Sequence, residues 1–163
     1  MNRFRSIAVA VGVLALVAVI FLLLTLTHKE PQHALDFTVG ARSGEVLRLS
    51  DNFGKRGTVV MFIDPELEGS NDLLERVAAK KGDCALLALS VRALPESEQL
   101  SLLPESVREL DGICFECSDA VEKYNVSHAP ITYFIDKDGL VREAYVGAMR
   151  DKSIEKCINM IAN

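Results

Sequence analysis

The stretch APITYFIDKDGLVREAYVG, residues 129–147, carries the strongest fold information in this chain. Two β-rich runs, residues 131–136 and 140–146, are joined by Lys137-Asp138-Gly139. An Asp-Gly pair between two such runs indicates a tight hairpin, because glycine readily adopts the positive φ that the turn needs. Residues 152–161 follow with an amphipathic helical pattern. The stretch therefore predicts a β-hairpin followed by a terminal helix.

Residues upstream of the hairpin predict a parallel sheet. TVVMFI (58–63) and CALLALSV (84–91) are continuous apolar runs, which are typical of strands buried on both faces. Shorter strands are predicted at 45–49 and 113–115, and helices at 71–81, 118–124 and, interrupted by Pro104, 96–110. Strands separated by helices pair in parallel. The predicted fold class is α/β, with a mixed β-sheet flanked by helices on both faces and the hairpin as an antiparallel edge.

The last third of the chain resembles the thioredoxin-like domains of the TlpA/ResA and AhpC/TSA-related group. The similarity lies in an X-Pro loop (Ala129-Pro130), a hydrophobic-Thr-hydrophobic-Phe-Ile-Asp strand, the Asp138-Gly139 hairpin and Gly147 before the last helix. It extends more loosely over residues 35–163. The resemblance implies a thioredoxin-like fold in which the Ala129–Pro130 bond is cis, a form found in only about 5–6% of X-Pro bonds.

The sequence departs from this family where the redox motif belongs. In the family a Cys-x-x-Cys follows the first buried strand and opens the next helix, but residues 61–75 (MFIDPELEGSNDLLE) contain no cysteine. By register, Leu67 and Ser70 occupy the two positions, and neither side chain can form a disulfide. The resemblance thus implies a protein without standard dithiol activity that binds a protein partner or a thiol client in the family's groove. The predicted groove residues are Glu66, Leu67, Ser70, His128, Ala129 and Pro130.

A second cysteine pair, Cys114 and Cys117, leaves three interpretations open. The pair could be a displaced catalytic dithiol of a thiol-disulfide oxidoreductase, since a helix predicted directly after Cys117 would favour a thiolate. Four extended residues, however, separate the two Cα atoms by about 10 Å, whereas a disulfide requires less than about 7 Å. The pair could equally be a structural disulfide or two resting thiols. With His128 it could supply three metal ligands, as in a cytochrome or oxidase assembly factor, although no fourth ligand is evident.

The N-terminal residues 7–27 (IAVAVGVLALVAVIFLLLTLT) contain no charge and no proline. About 20 such residues span a bilayer core of about 30 Å as a helix. Arg3 and Arg5 precede the run, so the positive-inside rule predicts a cytosolic segment (1–6), a transmembrane anchor (7–27), a linker (28–34) and an extracytoplasmic domain (35–163), periplasmic or on the outer surface. A cleaved signal peptide is the alternative, but its apolar region is normally only about 7–15 residues long.

The charge of the predicted domain excludes one class of partner. Without Arg3, Arg5, Lys29 and Glu30 the chain retains 15 basic and 22 acidic residues, a net charge of −7. Such a balance lacks the basic footprint of a nucleic-acid-binding protein. It also predicts that the domain stays clear of an anionic bilayer surface. The chain shows no phosphate-binding glycine loop, zinc-protease motif or hydrolase elbow, so no cofactor is predicted.

Overall fold

The structure, a computed structural model, describes residues 32–162. The predicted cytosolic segment and the predicted anchor at 7–27 lie outside the described residues, as does the first part of the predicted linker. Between residues 32 and 162 no helix combines the length and the apolar character needed to span a membrane.

The described chain contains seven strands, five α-helices and one short 3₁₀ helix, Leu49–Asn52. The strands are β1 Thr38–Gly40, β2 Val46–Arg48, β3 Thr58–Ile63, β4 Ala85–Ser90, β5 Ile113–Cys114, β6 Ile131–Ile135 and β7 Val141–Val146. The helices are α1 Glu68–Lys80, α2 Glu96–Leu102, α3 Glu105–Arg108, α4 Ser118–Lys123 and α5 Asp151–Ala162.

The main sheet has the order β5-β4-β3-β6-β7, and β1 and β2 form a separate antiparallel pair. Strands β3, β4 and β5 run parallel, whereas β6 is antiparallel to β3 and β7 to β6. All residues of β3 and β4 are buried, as their continuous apolar runs predict. The mixed sheet with an antiparallel hairpin at one edge is therefore confirmed.

Helices cover both faces of the sheet, which is also confirmed. Successive side chains of a strand point to opposite faces, so β3 contributes Val59 and Met61 to one core and Val60 and Phe62 to the other. Helices α1 and α5 pack on the first face. Helix α4 and the β1–β2 pair pack on the second.

The structure differs most from the prediction in three places. Helix α1 begins at Glu68 rather than at residue 71, because hydrogen bonds of the preceding loop start the helix despite the weak helix formers Gly69 and Ser70. Strand β1 was not predicted, because its three residues are too few to show the alternation of apolar and polar side chains that indicates a strand. Residues 32–34, assigned to the linker, already pair with the hairpin: the N–H of Val141 donates to the carbonyl of Gln32 at 2.8 Å.

The main sheet has an upper and a lower end, which are defined by where its strands begin and finish. At the upper end β3 and β4 finish and β6 begins, since Phe62 pairs with Ile131. At the lower end β3 and β4 begin and β6 finishes, since Thr58 pairs with both Ala85 and Ile135. Gln32 lies at the lower end, beside the hairpin turn.

Candidate functional site

The loop between β3 and α1 stands at the upper end, where the family carries its redox motif. Asp64 shapes it: its carboxylate accepts the N–H of Glu66 at 3.1 Å, and its carbonyl accepts the N–H of Leu67 at 3.0 Å. An aspartate that bonds the backbone two residues on is a common turn former. Leu67 stands directly before α1 with 44% of its surface exposed. The structure thus places a leucine at the helix N-terminus where the resemblance implies the first cysteine.

Ser70, at the position of the second cysteine, is completely buried. Its hydroxyl accepts the backbone N–H of Asp64 at 3.0 Å and so fixes the loop to the first turn of α1. The side chain therefore acts inside the protein and does not line the open surface.

A cluster of charges fixes the same loop to the end of β4. Arg92 binds both carboxylate oxygens of Asp64, at 2.8 and 2.7 Å, and contacts Glu66 at 2.8 Å. The hydrogen bond that Arg92 donates to Asp64 raises the pKa of Arg92 above its usual value. A bidentate arginine–carboxylate pair of this kind is strong, and it also fixes the relative orientation of the two side chains. Asp64 is only 6% exposed, so this carboxylate depends on Arg92 for its charge partner.

Sequence reasoning missed Arg92, although a usable signal was present. Asp64 directly follows β3, and Arg92 follows β4 after Val91. Because the carboxyl ends of neighbouring parallel strands meet at one edge of a sheet, side chains that follow such strands lie close together.

A pocket of about 400 Å³ opens between this loop and the segment before Pro130. The Ala129–Pro130 bond is cis, as the resemblance implies. Five of the nine residues that line the pocket are apolar and four are polar. The apolar residues are Leu67, Val91, Val121, Val126 and Ala129; the polar ones are Asp64, Arg92, Ser127 and His128. Ser127 and His128 are hydrogen-bonded to each other, Oγ to Nδ1, at 2.8 Å.

The predicted groove residues divide by position. Leu67, His128 and Ala129 line the pocket together. Glu66 is paired with Arg92, and it lines a neighbouring acidic depression. Ser70 lies beneath the loop. The valines of the wall were missed, because no sequence pattern shows which partly buried residues of separate elements share a cavity.

Cys114 and Cys117 lie inside the core on the α4 face. They are 0% and 3% exposed, and all four cysteines of the chain are buried free thiols. The chain turns between them, so that the Cys117 thiol donates to the Cys114 carbonyl at 3.0 Å. The segment is therefore not extended, but both thiols are enclosed.

Burial determines the protonation of these thiols. It raises the pKa of Cys114 to about 12, and it also raises the pKa of Cys117. Cys117 stands directly before α4, a position that favours a thiolate, but the loss of solvation outweighs this effect. A protonated, enclosed thiol is neither a nucleophile nor a ready metal ligand.

The three-ligand set considered from the sequence is not assembled. Within residues 32–162 no three His, Cys, Asp or Glu side chains are grouped so that they could hold a metal ion. Cys114 and Cys117 are enclosed in the core, whereas His128 is exposed at the pocket rim.

We expect the native thiols to resist alkylation at pH 8. A thiol with a pKa of about 12 is ionised about a thousandfold less at this pH than one with an ordinary value near 9. Because the pKa is raised, reaction at Cys114 should continue to accelerate as the pH increases beyond 9. Iodoacetamide labelling followed by peptide mass spectrometry checks this, with labelling in guanidinium as the control. Rapid modification of Cys117 in the native protein at pH 8 would contradict the buried arrangement.

Comparisons with known proteins agree with this architecture. The chain is 25% identical over 139 residues to the thioredoxin-like protein YneN of Bacillus subtilis, covering 81% of this chain and 80% of that protein. A putative thiol:disulfide interchange protein DsbE from Chlorobium tepidum superposes with a TM-score of 0.66 at 20% identity, over 82% of this chain and 97% of that one. StoA from Bacillus subtilis superposes at 0.57 with 15% identity, over 76% and 96%. No family model matches the sequence.

The chain therefore has a thioredoxin-like fold, and its structural neighbours include proteins named for thiol-disulfide interchange. The predicted resemblance is confirmed at this level. On that fold, the upper end of this chain carries an apolar pocket, a fixed ion cluster and an exposed leucine.

Proposed function

We propose that this chain is a membrane-anchored, extracytoplasmic thioredoxin-like protein that binds an extended segment of a partner protein in the pocket at its upper end. It does so without disulfide exchange at that site. The observation that carries the proposal is Leu67: an exposed apolar side chain stands at the N-terminus of α1, beside Ala129 and the cis-proline loop.

The pocket suits one apolar side chain of a partner. Its volume lies within the usual range for ligand sites, about 300–1,000 Å³, and five of the nine residues that line it are apolar. The loop is held on one side by Ser70 and on the other by Arg92. A pocket preformed in this way loses less conformational entropy when a partner binds.

The surroundings of the pocket predict the charge of the partner. The acidic depression beside Leu67 is lined by four carboxylates and by one arginine, Arg108. The carboxylates are those of Glu66, Glu68, Asp72 and Glu75. Opposite charge steers encounter and suppresses wrong partners. The favoured segment is therefore an extended one with a bulky apolar residue next to lysine or arginine.

Binding can be tested with displayed peptides that lack cysteine, since disulfide exchange then cannot contribute. We expect selection against the full chain to enrich an apolar residue flanked by basic ones. Leu67→Asp should weaken the selected peptides about tenfold or more, since it places a buried charge in an apolar contact. Leu35→Asp is the matched control, because Leu35 is 47% exposed and lines neither this pocket nor the acidic depression. Equal loss in both variants would overturn the assignment.

The anchored topology forms part of the proposal and is supported by the sequence of residues 7–27 alone. It predicts that the full chain remains in the membrane fraction after alkaline carbonate washing. It also predicts that an externally added protease removes the domain from intact cells or spheroplasts. Release of the chain by carbonate would refute the anchor without affecting the pocket.

A thiol-disulfide oxidoreductase using Cys114 and Cys117 is the second candidate, favoured by the neighbours' names and by the position of Cys117 before α4. Because both thiols are enclosed, this activity requires the α4 face of the core to open. Insulin reduction by the full chain, abolished by Cys117→Ser, would establish it and displace the binding-only assignment.

A further inference from the structure

A second cavity, here called the lower pocket, opens at the opposite end of the sheet from the binding pocket. Its volume is about 650 Å³, larger than that of the upper pocket. It lies between the loop that precedes β3 and the beginnings of β4 and β5. Its charged lining residues are Arg48, Asp51, Lys55, Arg56, Lys81 and Asp111.

The four cations of the lower pocket have no carboxylate partner within 4.0 Å among residues 32–162. Arg56 is hydrogen-bonded to the side-chain oxygen of Asn52 at 3.2 Å, and Lys81 to the carbonyl of Gly82 at 3.3 Å. Two carboxylates line the pocket, and Asp83 stands nearby beside Cys84. A domain with a net charge of −7 thus concentrates cations at one place.

The chain enters the described domain at this same end. Gln32 is hydrogen-bonded to Val141 beside the hairpin turn, and the N–H of Gly54 donates to the Lys137 carbonyl at 2.6 Å. The hairpin lies two to three strand positions from β4, a lateral distance of about 10–15 Å. Only residues 28–31 separate Gln32 from the proposed anchor, and four residues span at most about 14 Å.

We propose that the lower pocket binds the headgroups of anionic phospholipids in the bilayer that holds the anchor. This inference rests on the proposed anchoring, because only four residues, 28–31, separate the described domain from the proposed anchor. The cations lie on the side from which the chain enters, and a phosphate group supplies the counter-charge that they lack. The net negative charge predicts that the domain stands clear of the membrane, whereas the proposed binding depends on the local charge of the lower pocket.

Docking of this kind would orient the molecule. The upper pocket lies at the opposite end of the strands, so contact through the lower pocket points the partner-binding site away from the bilayer. Each lysine or arginine near an anionic surface changes the binding constant about fivefold, and the attraction weakens as salt increases.

The test uses the full chain in nanodiscs of phosphatidylcholine alone or of phosphatidylcholine with phosphatidylglycerol. An amine-reactive label measures the accessibility of Lys55 and Lys81. Lys152 is the matched control, because it is exposed in the first turn of α5, which follows the end of β7 at the upper end of the sheet. We expect labelling of Lys55 and Lys81 to slow several-fold in the anionic discs only. High salt, or the double substitution Arg48→Glu/Arg56→Glu, should remove this protection.

Equal labelling in both kinds of disc would overturn the proposal. Protection by inorganic phosphate in neutral discs, to the same extent as by phosphatidylglycerol, would assign the pocket to free phosphate and overturn the lipid assignment. A chain that fails to remain with neutral discs refutes the anchor separately. In that case binding to phosphatidylglycerol vesicles that is unchanged by Arg48→Glu/Arg56→Glu overturns the headgroup site as well.

Discussion

The double substitution Leu67→Cys/Ser70→Cys is expected to give this chain a disulfide reductase activity at a loop that contains no cysteine in the native sequence. Leu67 stands at the N-terminus of the 13-residue helix α1, half exposed and beside the cis-proline loop. A cysteine there has the helix end that lowers a thiol pKa, and Ser70 lies one turn further along to supply the resolving thiol. We expect insulin reduction with dithiothreitol to increase at least about tenfold over the native protein.

The carboxylates of Glu66 and Glu68 oppose this gain, because negative charge near a thiol raises its pKa. Adding Glu68→Gln to the double variant should therefore increase the rate further. Two controls isolate the site: Leu67→Cys alone lacks a resolving partner, and Cys114→Ser/Cys117→Ser in the same background should leave the rate unchanged. If the engineered activity disappeared with the Cys114 and Cys117 substitutions, the buried pair and not α1 would be the redox centre.

The second large effect is structural: Gly112→Ala should destabilise the domain by at least about 3 kcal/mol. A Cβ at residue 112 would lie 1.8 Å from the backbone carbonyl oxygen of Leu86. Backbone atoms cannot move aside as a flexible side chain does, and the Gly112 carbonyl itself accepts the N–H of Ala88 at 2.7 Å. The clash would therefore separate β5 from β4. Thermal unfolding should show the midpoint fall by about 10 °C or more.

Gly69→Ala provides a matched comparison in the same assay. Gly69 lies in the first turn of α1, and a Cβ there would have no neighbour within 4 Å. Because alanine loses less backbone entropy than glycine in a helix, this change should raise the stability by about 0.5 kcal/mol. A Gly112→Ala protein as stable as the native one would show that β4 and β5 approach less closely than described.

The sequence was most informative where it contains a recognisable turn or a continuous apolar run. The Asp138-Gly139 turn predicted β6 and β7, and the apolar runs predicted β3 and β4, because burial on both faces leaves a continuous hydrophobic pattern. The absence of cysteine from the loop before α1 was equally visible, since it depends only on which residues follow β3. The start of α1 was placed late because the side chains of Asp64 and Ser70 stabilise a helical turn that residue propensities disfavour.

The site itself was predicted in part. Leu67 and Ala129 were placed opposite each other through the resemblance, and the pocket contains both. Ser70 was assigned to the groove, whereas only the folded chain shows that its hydroxyl is used beneath the loop. Arg92 could be associated with Asp64 only after β3 and β4 were known to be parallel neighbours.

By itself the sequence determined the α/β class, the order of the elements from β2 onward, the hairpin and the absence of thiols before α1, because each of these depends on neighbouring residues or on a local period. Tertiary structure alone decided three other properties: the protonated state of Cys114 and Cys117, the ion cluster of Asp64, Glu66 and Arg92, and the lower-pocket cations that have no carboxylate partner among residues 32–162. Solvation and charge pairing depend on residues that are distant in sequence, so the same composition would allow an accessible dithiol or a uniformly acidic surface. In this chain folding buries the thiols of Cys114 and Cys117, and it brings four cations together in the lower pocket of an acidic domain.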